Sequence, residues 1–261
     1  MSHYSLLAYV LFEEHESAHR GVVGQIVRDV LAASGVTPDR VWGMRKRDSG
    51  IADRPFSAAK LDEFIADEER SQVTLWSEAT FNLHGQLWRR VPGLMPQEVS
   101  FIARVGDGGA SEDALVTAAE TLLRGAAERL PLFIGGAQPF PTDVEARAEL
   151  QPSLVQSRVP QTPEQEAKRE GDWKRERHVR HQPRRLYWRT LLGPRMAAMM
   201  GGVAAARAAG DADAEELAGS VLVHAGERPS AALAPEWKTR WRGLRQWMWT
   251  HSSRNPVDAV E

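Results

Sequence analysis

Apolar and polar positions along this chain change period several times, and each change marks an element. Tyr4 to Phe12 (YSLLAYVLF) is a continuous apolar run, short and partly β-branched, which predicts a strand. From Glu16 to Ser34 the period lengthens. Val22, Val23, Ile26, Val27 and Val30 recur at helical spacing, and Gly35 ends the pattern. Val41 to Lys46 predicts a second strand and RDSGIADRP a loop. Ser57 then reads as the N-cap of a short helix carrying Leu61, Phe64 and Ile65. Val73 to Trp76 and Glu98 to Val105 predict further strands. The latter alternates, with Val99, Phe101, Ala103 and Val105 on one face and Ser100, Ile102 and Arg104 on the other. GDGGAS is a turn, and Ser111 opens a long helix, Glu112 to Leu130, in which Leu115, Ala118, Ala119, Leu122 and Ala126 repeat at three and four. Pro131 stops it.

The pattern then fades. Pro139 to Lys168 holds five prolines and reads as a long irregular excursion. It returns with a helix starting at Gly193-Pro194 and ended or interrupted at Gly201-Gly202. A short strand at Ser220 to His224 follows, then a final helix from Pro235 to Thr250. In that helix Trp237, Trp241, Leu244 and Met248 share one face, which predicts burial. The order β-α-β-α-β-β-α followed by α-β-α, with no Gly-rich turn after the first strand, predicts an α+β fold: an antiparallel or mixed sheet with packed helices in a single large domain. Its portions are an α+β part at 1–135, an irregular Pro-rich and basic connection at 136–185, a helix-strand-helix part at 186–250 packing on the same domain, and a tail at 251–261.

Composition narrows the class. With 261 residues the chain is long enough for a sizeable core, and with no cysteine it uses no disulfide. MSHYSLLAYVLFEEHE carries neither a basic n-region nor a cleavage-site pattern, and its apolar run is short for a membrane span, so a cytoplasmic protein is expected. The net charge of −2 supplies no global field for nucleic acid. Locally the balance shifts: between Lys168 and Arg189 nine Lys or Arg face three acids. This stretch, with Trp173 among its arginines and His178 and His181 nearby, reads as a solvated basic face or a partner-binding surface. A nucleotide or nucleic-acid site is the alternative.

HESAH, residues 15 to 19, matches the H-E-x-x-H pattern of zinc hydrolases, in which two imidazoles one helical turn apart hold the ion and the Glu activates water. Here the motif falls in the first turn of a predicted helix, three residues after a strand. Glu13, Glu14 and Glu16 there have an ordinary role against the helix dipole, and no third ligand stands out in the sequence. A structural reading is preferred. The alternative is a zinc metallohydrolase using His15, Glu16 and His19. GDGGAS lacks the Lys of a phosphate loop, and no G-x-S-x-G occurs. No catalytic residue and no cofactor is assigned.

Residues 186 to 210, LYWRTLLGPRMAAMMGGVAAARAAG, resemble a pattern in bacterial immunity proteins of type VI secretion and polymorphic toxin systems. In that pattern an aromatic-rich segment leads into a Leu-Gly-Pro turn, then a helix ending in Gly-Gly. The matching positions are Trp188, Leu192, Gly193, Pro194, Met196, Met200, Gly201 and Gly202. The strand, x-Pro segment and amphipathic helix that follow are also similar, while the basic insertion before Tyr187 departs from the pattern. The resemblance implies a protein that binds a cognate toxin or effector and occludes it, without chemistry of its own. Trp173, Arg175, Arg177 and Arg180 are the expected partner-binding residues, with an acidic surface opposite. The loop at 45–54 is the alternative docking site, and a homo-oligomer is a further possibility.

Overall fold

A computed structural model describes residues 3–12, 18–45, 51–78, 80–87, 97–106, 109–150, 186–210 and 212–252. Ten strands form one sheet: β1 (Tyr4–Phe12), β2 (Arg40–Arg45), β3 (Ile51–Pro55), β4 (Arg70–Ser77), β5 (Phe81–Gln86), β6 (Gln97–Val105), β7 (Leu132–Phe140), β8 (Arg189–Leu192), β9 (Asp213–Leu217) and β10 (Ser220–His224). Their spatial order is β3-β2-β4-β5-β6-β1-β7-β8-β10-β9, and every pairing is antiparallel. The helices are α1 (Ala18–Ser34), α2 (Ala58–Ala66), α3 (Glu112–Arg129), α4 (Asp143–Leu150), α5 (Pro194–Met199), α6 (Gly202–Gly210), α7 (Pro235–Arg240) and α8 (Arg242–Ser252). The fold is α+β and a single domain, because the one sheet takes strands from both halves of the chain.

The period of two decides which side chains meet which helices. Tyr4, Leu6, Ala8, Val10 and Phe12 of β1 align with Val105, Ala103, Phe101, Val99 and Gln97 of β6. Apart from Gln97 these residues form one face of the main core, where α1 brings Val23, Ile26, Val27 and Val30 and α3 brings Leu115, Ala118, Ala119, Leu122 and Ala126. α1 and α3 pack on each other over this face. Arg20 of α1 reaches across to the carbonyls of Phe64, Ile65, Asp67 and Arg70, filling acceptors that the end of α2 leaves open. Ser57 and Ser111 cap α2 and α3 as their sequences predict, each accepting a backbone N–H at 3.2 Å.

On the opposite face one lateral row crosses all ten strands: Asp53, Trp42, Thr74, His84, Ser100, Tyr9, Gly136, Thr190, Val223 and Ala214. α4 covers its centre, where Leu7, Tyr9, Ile102, Phe140, Ala146 and Tyr187 form a small core. The C-terminal helices cover its far end. There Trp237, Trp241, Leu244 and Met248 are buried with Leu192, Met196, Val221 and Val223.

Several expectations are corrected. RDSGIADRP is not wholly a loop, since Ile51–Pro55 pairs with β2; its polarity and its proline fit an edge strand. Residues 136–150, expected to be irregular, finish β7 and form α4. The final helix is two pieces that meet at Trp241, whose φ of −99° and ψ of 25° break it. The Leu-Gly-Pro segment gains a physical account. Gly193 donates its N–H to the Phe133 carbonyl at 3.0 Å, and a Cβ there would lie 2.0 Å from the Leu132 carbonyl oxygen, so only glycine fits. Pro194 begins α5 at a position where no N–H is required. Gly201 and Gly202, at φ of 84° and 68°, turn the chain from α5 into α6.

Candidate functional site

At each edge of the sheet an arginine engages a backbone carbonyl. On β9 the Ala214 carbonyl receives two bonds from the Arg207 guanidinium of α6, at 3.0 and 2.6 Å. On β3 the Asp53 carbonyl accepts from Arg54, and Pro55 has no N–H to offer.

A charged cluster lies between α3 and the last three strands. Arg189 of β8 is 7% exposed. Its Nε donates to Glu120 of α3 at 2.6 Å, its Nη1 donates to the Gly226 carbonyl at 2.7 Å, and its guanidinium stacks 3.8 Å over the Trp188 ring. Arg124 pairs with Glu215 of β9, and His224 of β10 meets Glu215 at 2.9 Å. Glu215 is held below the usual carboxylate range, first by its bonds from Arg124 and then by His224. Each charge here faces its opposite, so the cluster acts as a strut that pins the C-terminal strands to α3. Arg189 closes the basic run of the sequence, yet it is a buried structural residue. Its role could have been suspected only from its place beside Trp188 in the Leu-Gly-Pro segment.

The face of the sheet at β2, β4 and β5 carries Trp42, Thr74, Trp76, Asn82 and His84 half-buried. Trp42 and Trp76 sit diagonally on adjacent strands, opposite Thr74 and Arg40 respectively. Where α4 meets this face a cleft of about 110 Å³ opens between Trp76, Asn82, Ile102, Asp143 and Arg147. A shallower hollow of about 470 Å³ lies at the end of α1 beside Ser34, Gly109, Ala110 and Ser111. The Ser111 hydroxyl there is engaged as the α3 cap, and Gly106, at φ 110°, makes the turn expected of GDGGAS. The two half-buried tryptophans thus have charged neighbours, with Asp53 opposite Trp42, Arg40 opposite Trp76, and Asp143 and Arg147 at the cleft.

Of the sequence-predicted residues, Trp173, Arg175, Arg177 and Arg180 lie outside the described residues, as do His15 and Glu16. His19 is described. It stands in the first turn of α1, its ring edge-on to Phe12 at 6.4 Å, which fits packing against the end of β1. Among the described residues no group of three or more His, Asp or Glu side chains is placed to hold a metal ion, and no helix is long and apolar enough to cross a membrane. Of the alternative docking loop at 45–54, the described part is the exposed edge strand β3, with Ile51 63% exposed.

No known protein family matches the chain, and no curated protein does. Among solved structures the fold is similar to that of the Pseudomonas aeruginosa T6SS protein PA0821. The TM-score is 0.56 at 14% identity, over 93% of this chain and 73% of that one. At that identity the likeness concerns the fold.

Proposed function

We propose that this chain is an immunity-type protein of a type VI secretion or polymorphic toxin system, which binds a cognate toxin or effector in the cytoplasm and occludes it. The observation that carries the reading is the fold likeness to a T6SS protein over 93% of the chain. The resemblance of residues 186 to 250 to such immunity proteins supports it from the sequence. In the fold, the Leu-Gly-Pro segment seats β8 and α5 against β7 through Gly193.

In this reading the work is binding rather than catalysis. The charged cluster ties the C-terminal strands to α3, and side-chain surfaces on that scaffold serve recognition. Trp173, Arg175, Arg177 and Arg180 are proposed as interface residues meeting an acidic surface. The test is calorimetry of the purified chain with the toxin encoded beside its gene. A stoichiometric complex with a Kd of about 10 nM or tighter supports the reading, and no binding at micromolar concentrations defeats it.

A further inference from the structure

The outer side of α7 and α8 is a strip of cations. Residues 235 to 252 contain Lys238, Arg240, Arg242 and Arg245 against a single acid, Glu236. All four cations are exposed, while Trp237, Trp241, Leu244 and Met248 point the other way into the core. Two backbone bonds flank the break at Trp241, from the Trp241 N–H to the Trp237 carbonyl at 3.2 Å and from the Arg245 N–H to the Trp241 carbonyl at 2.9 Å. Lys238 and Arg240 lie in the last turn of α7, and Arg242 and Arg245 lie in the first turn of α8 directly after the break, three residues apart on one face. Arg245 reaches back across the break and donates to the Lys238 carbonyl at 3.3 Å, which holds its guanidinium against the last turn of α7. Arg240 lies beside them with its guanidinium 5.2 Å from the Trp241 ring, a contact that restrains it.

Elsewhere in the molecule arginines face carboxylates: Arg28 with Asp62, Arg40 with Asp53, Arg124 with Glu215, Arg189 with Glu120. Along this strip none of the four cations has an acidic partner among the described residues. Four like charges held within two turns repel one another and destabilise the helix slightly, a cost that an acidic partner would reverse.

We infer that this strip docks an acidic patch on a partner protein. The inference rests on the reading of the chain as a toxin-binding protein and adds a second, structurally defined part to that interface. A protein patch fits better than nucleic acid for two reasons. The strip is only about 10 Å long at the helical rise, enough for three or four contacts, and affinity for a duplex grows with the number of phosphates neutralised. The chain's net charge of −2 also opposes a polyanion at long range, whereas a compact cluster of carboxylates meets the Arg forks at contact distance.

The experiment uses the full chain and the variant Lys238→Glu/Arg242→Glu/Arg245→Glu, with the melting transition checked for both. Three probes are titrated at low and moderate salt: the toxin from the adjacent gene, hexaglutamate and a short DNA duplex. The inference expects the variant to bind the toxin about 100-fold more weakly with a flatter salt dependence. It also expects hexaglutamate to bind the native chain at low salt and not the variant. Toxin affinity unchanged by the reversal overturns it, as does failure of hexaglutamate to bind the native chain, or tighter binding of the duplex than of hexaglutamate. If the native chain does not bind the toxin at all, the immunity reading fails and the hexaglutamate and duplex titrations still decide the strip.

Discussion

Arg189 Nε and the Glu120 carboxylate lie 2.6 Å apart, joining β8 to α3 with the arginine 7% exposed. A pair this dry is costly to break from one side, because the survivor keeps its desolvation and loses its partner. Glu120→Ala is expected to destabilise the chain by about 3 kcal/mol. The double variant Glu120→Leu/Arg189→Met should recover much of that loss. Urea melts of the single and double variants check this, and equal losses in both would show that the pair contributes little coupling.

All three tyrosines of the chain, Tyr4, Tyr9 and Tyr187, are buried. Burial pushes the phenols of Tyr4 and Tyr187 well above their ordinary range, helped by Glu112 at the first and by Tyr9 and Glu149 at the second. The sign follows from linkage. A raised folded-state pKa leaves stability intact below the unfolded value of about 10, and stability falls as pH rises beyond it. Tyrosinate absorbance should therefore appear together with the loss of near-ultraviolet dichroism, and Tyr187→Phe should reduce the alkaline loss. Tyrosine ionisation that is complete while the fold persists would contradict this.

Gly193→Ala places a methyl group 2.0 Å from the Leu132 carbonyl oxygen, a backbone atom that cannot step aside without moving β7. The expected cost is at least about 3 kcal/mol, at the upper end of what overpacking usually exacts. A thermal melt within a degree of the native chain would show that the close approach of β7 and the start of α5 is not required.

Ala218 sits at φ 49° in the two-residue turn between β9 and β10, followed by Gly219 at 81°. A left-handed alanine costs about 1–2 kcal/mol, part of which glycine gives back as unfolded-state entropy. Ala218→Gly should raise stability by up to about 1 kcal/mol, and Ala218→Asn by a similar amount. Destabilisation by both substitutions would contradict the assigned turn.

How far the sequence reveals the fold depends on whether its elements carry their own pattern. β6, α1, α2 and α3 do, because each carries apolar side chains at a clean period, and β1 does as a continuous apolar run buried on both faces. The elements that escape notice are held by their neighbours. β5 fills an inward position with Gly85, β7 uses Gly135 and Gly136 in mid-strand, β8 is four residues long, and β9 reads as DAEEL. Their pairing comes from the strands beside them rather than from local propensity. The candidate surfaces are less legible still. The tryptophan face at Trp42 and Trp76 and the Arg189–Glu120 strut assemble residues far apart in the chain. The cation strip could be seen in the sequence as the polar side of the last helix, where Arg240, Arg242 and Arg245 read as an ordinary amphipathic pattern.

The most direct measurement of the central claim is survival of cells that express the toxin encoded beside this gene, with and without the chain. The account predicts that co-expression restores growth, and that the Lys238→Glu/Arg242→Glu/Arg245→Glu variant protects less at equal abundance. Cells that die at the same rate with the native, folded chain present would contradict it.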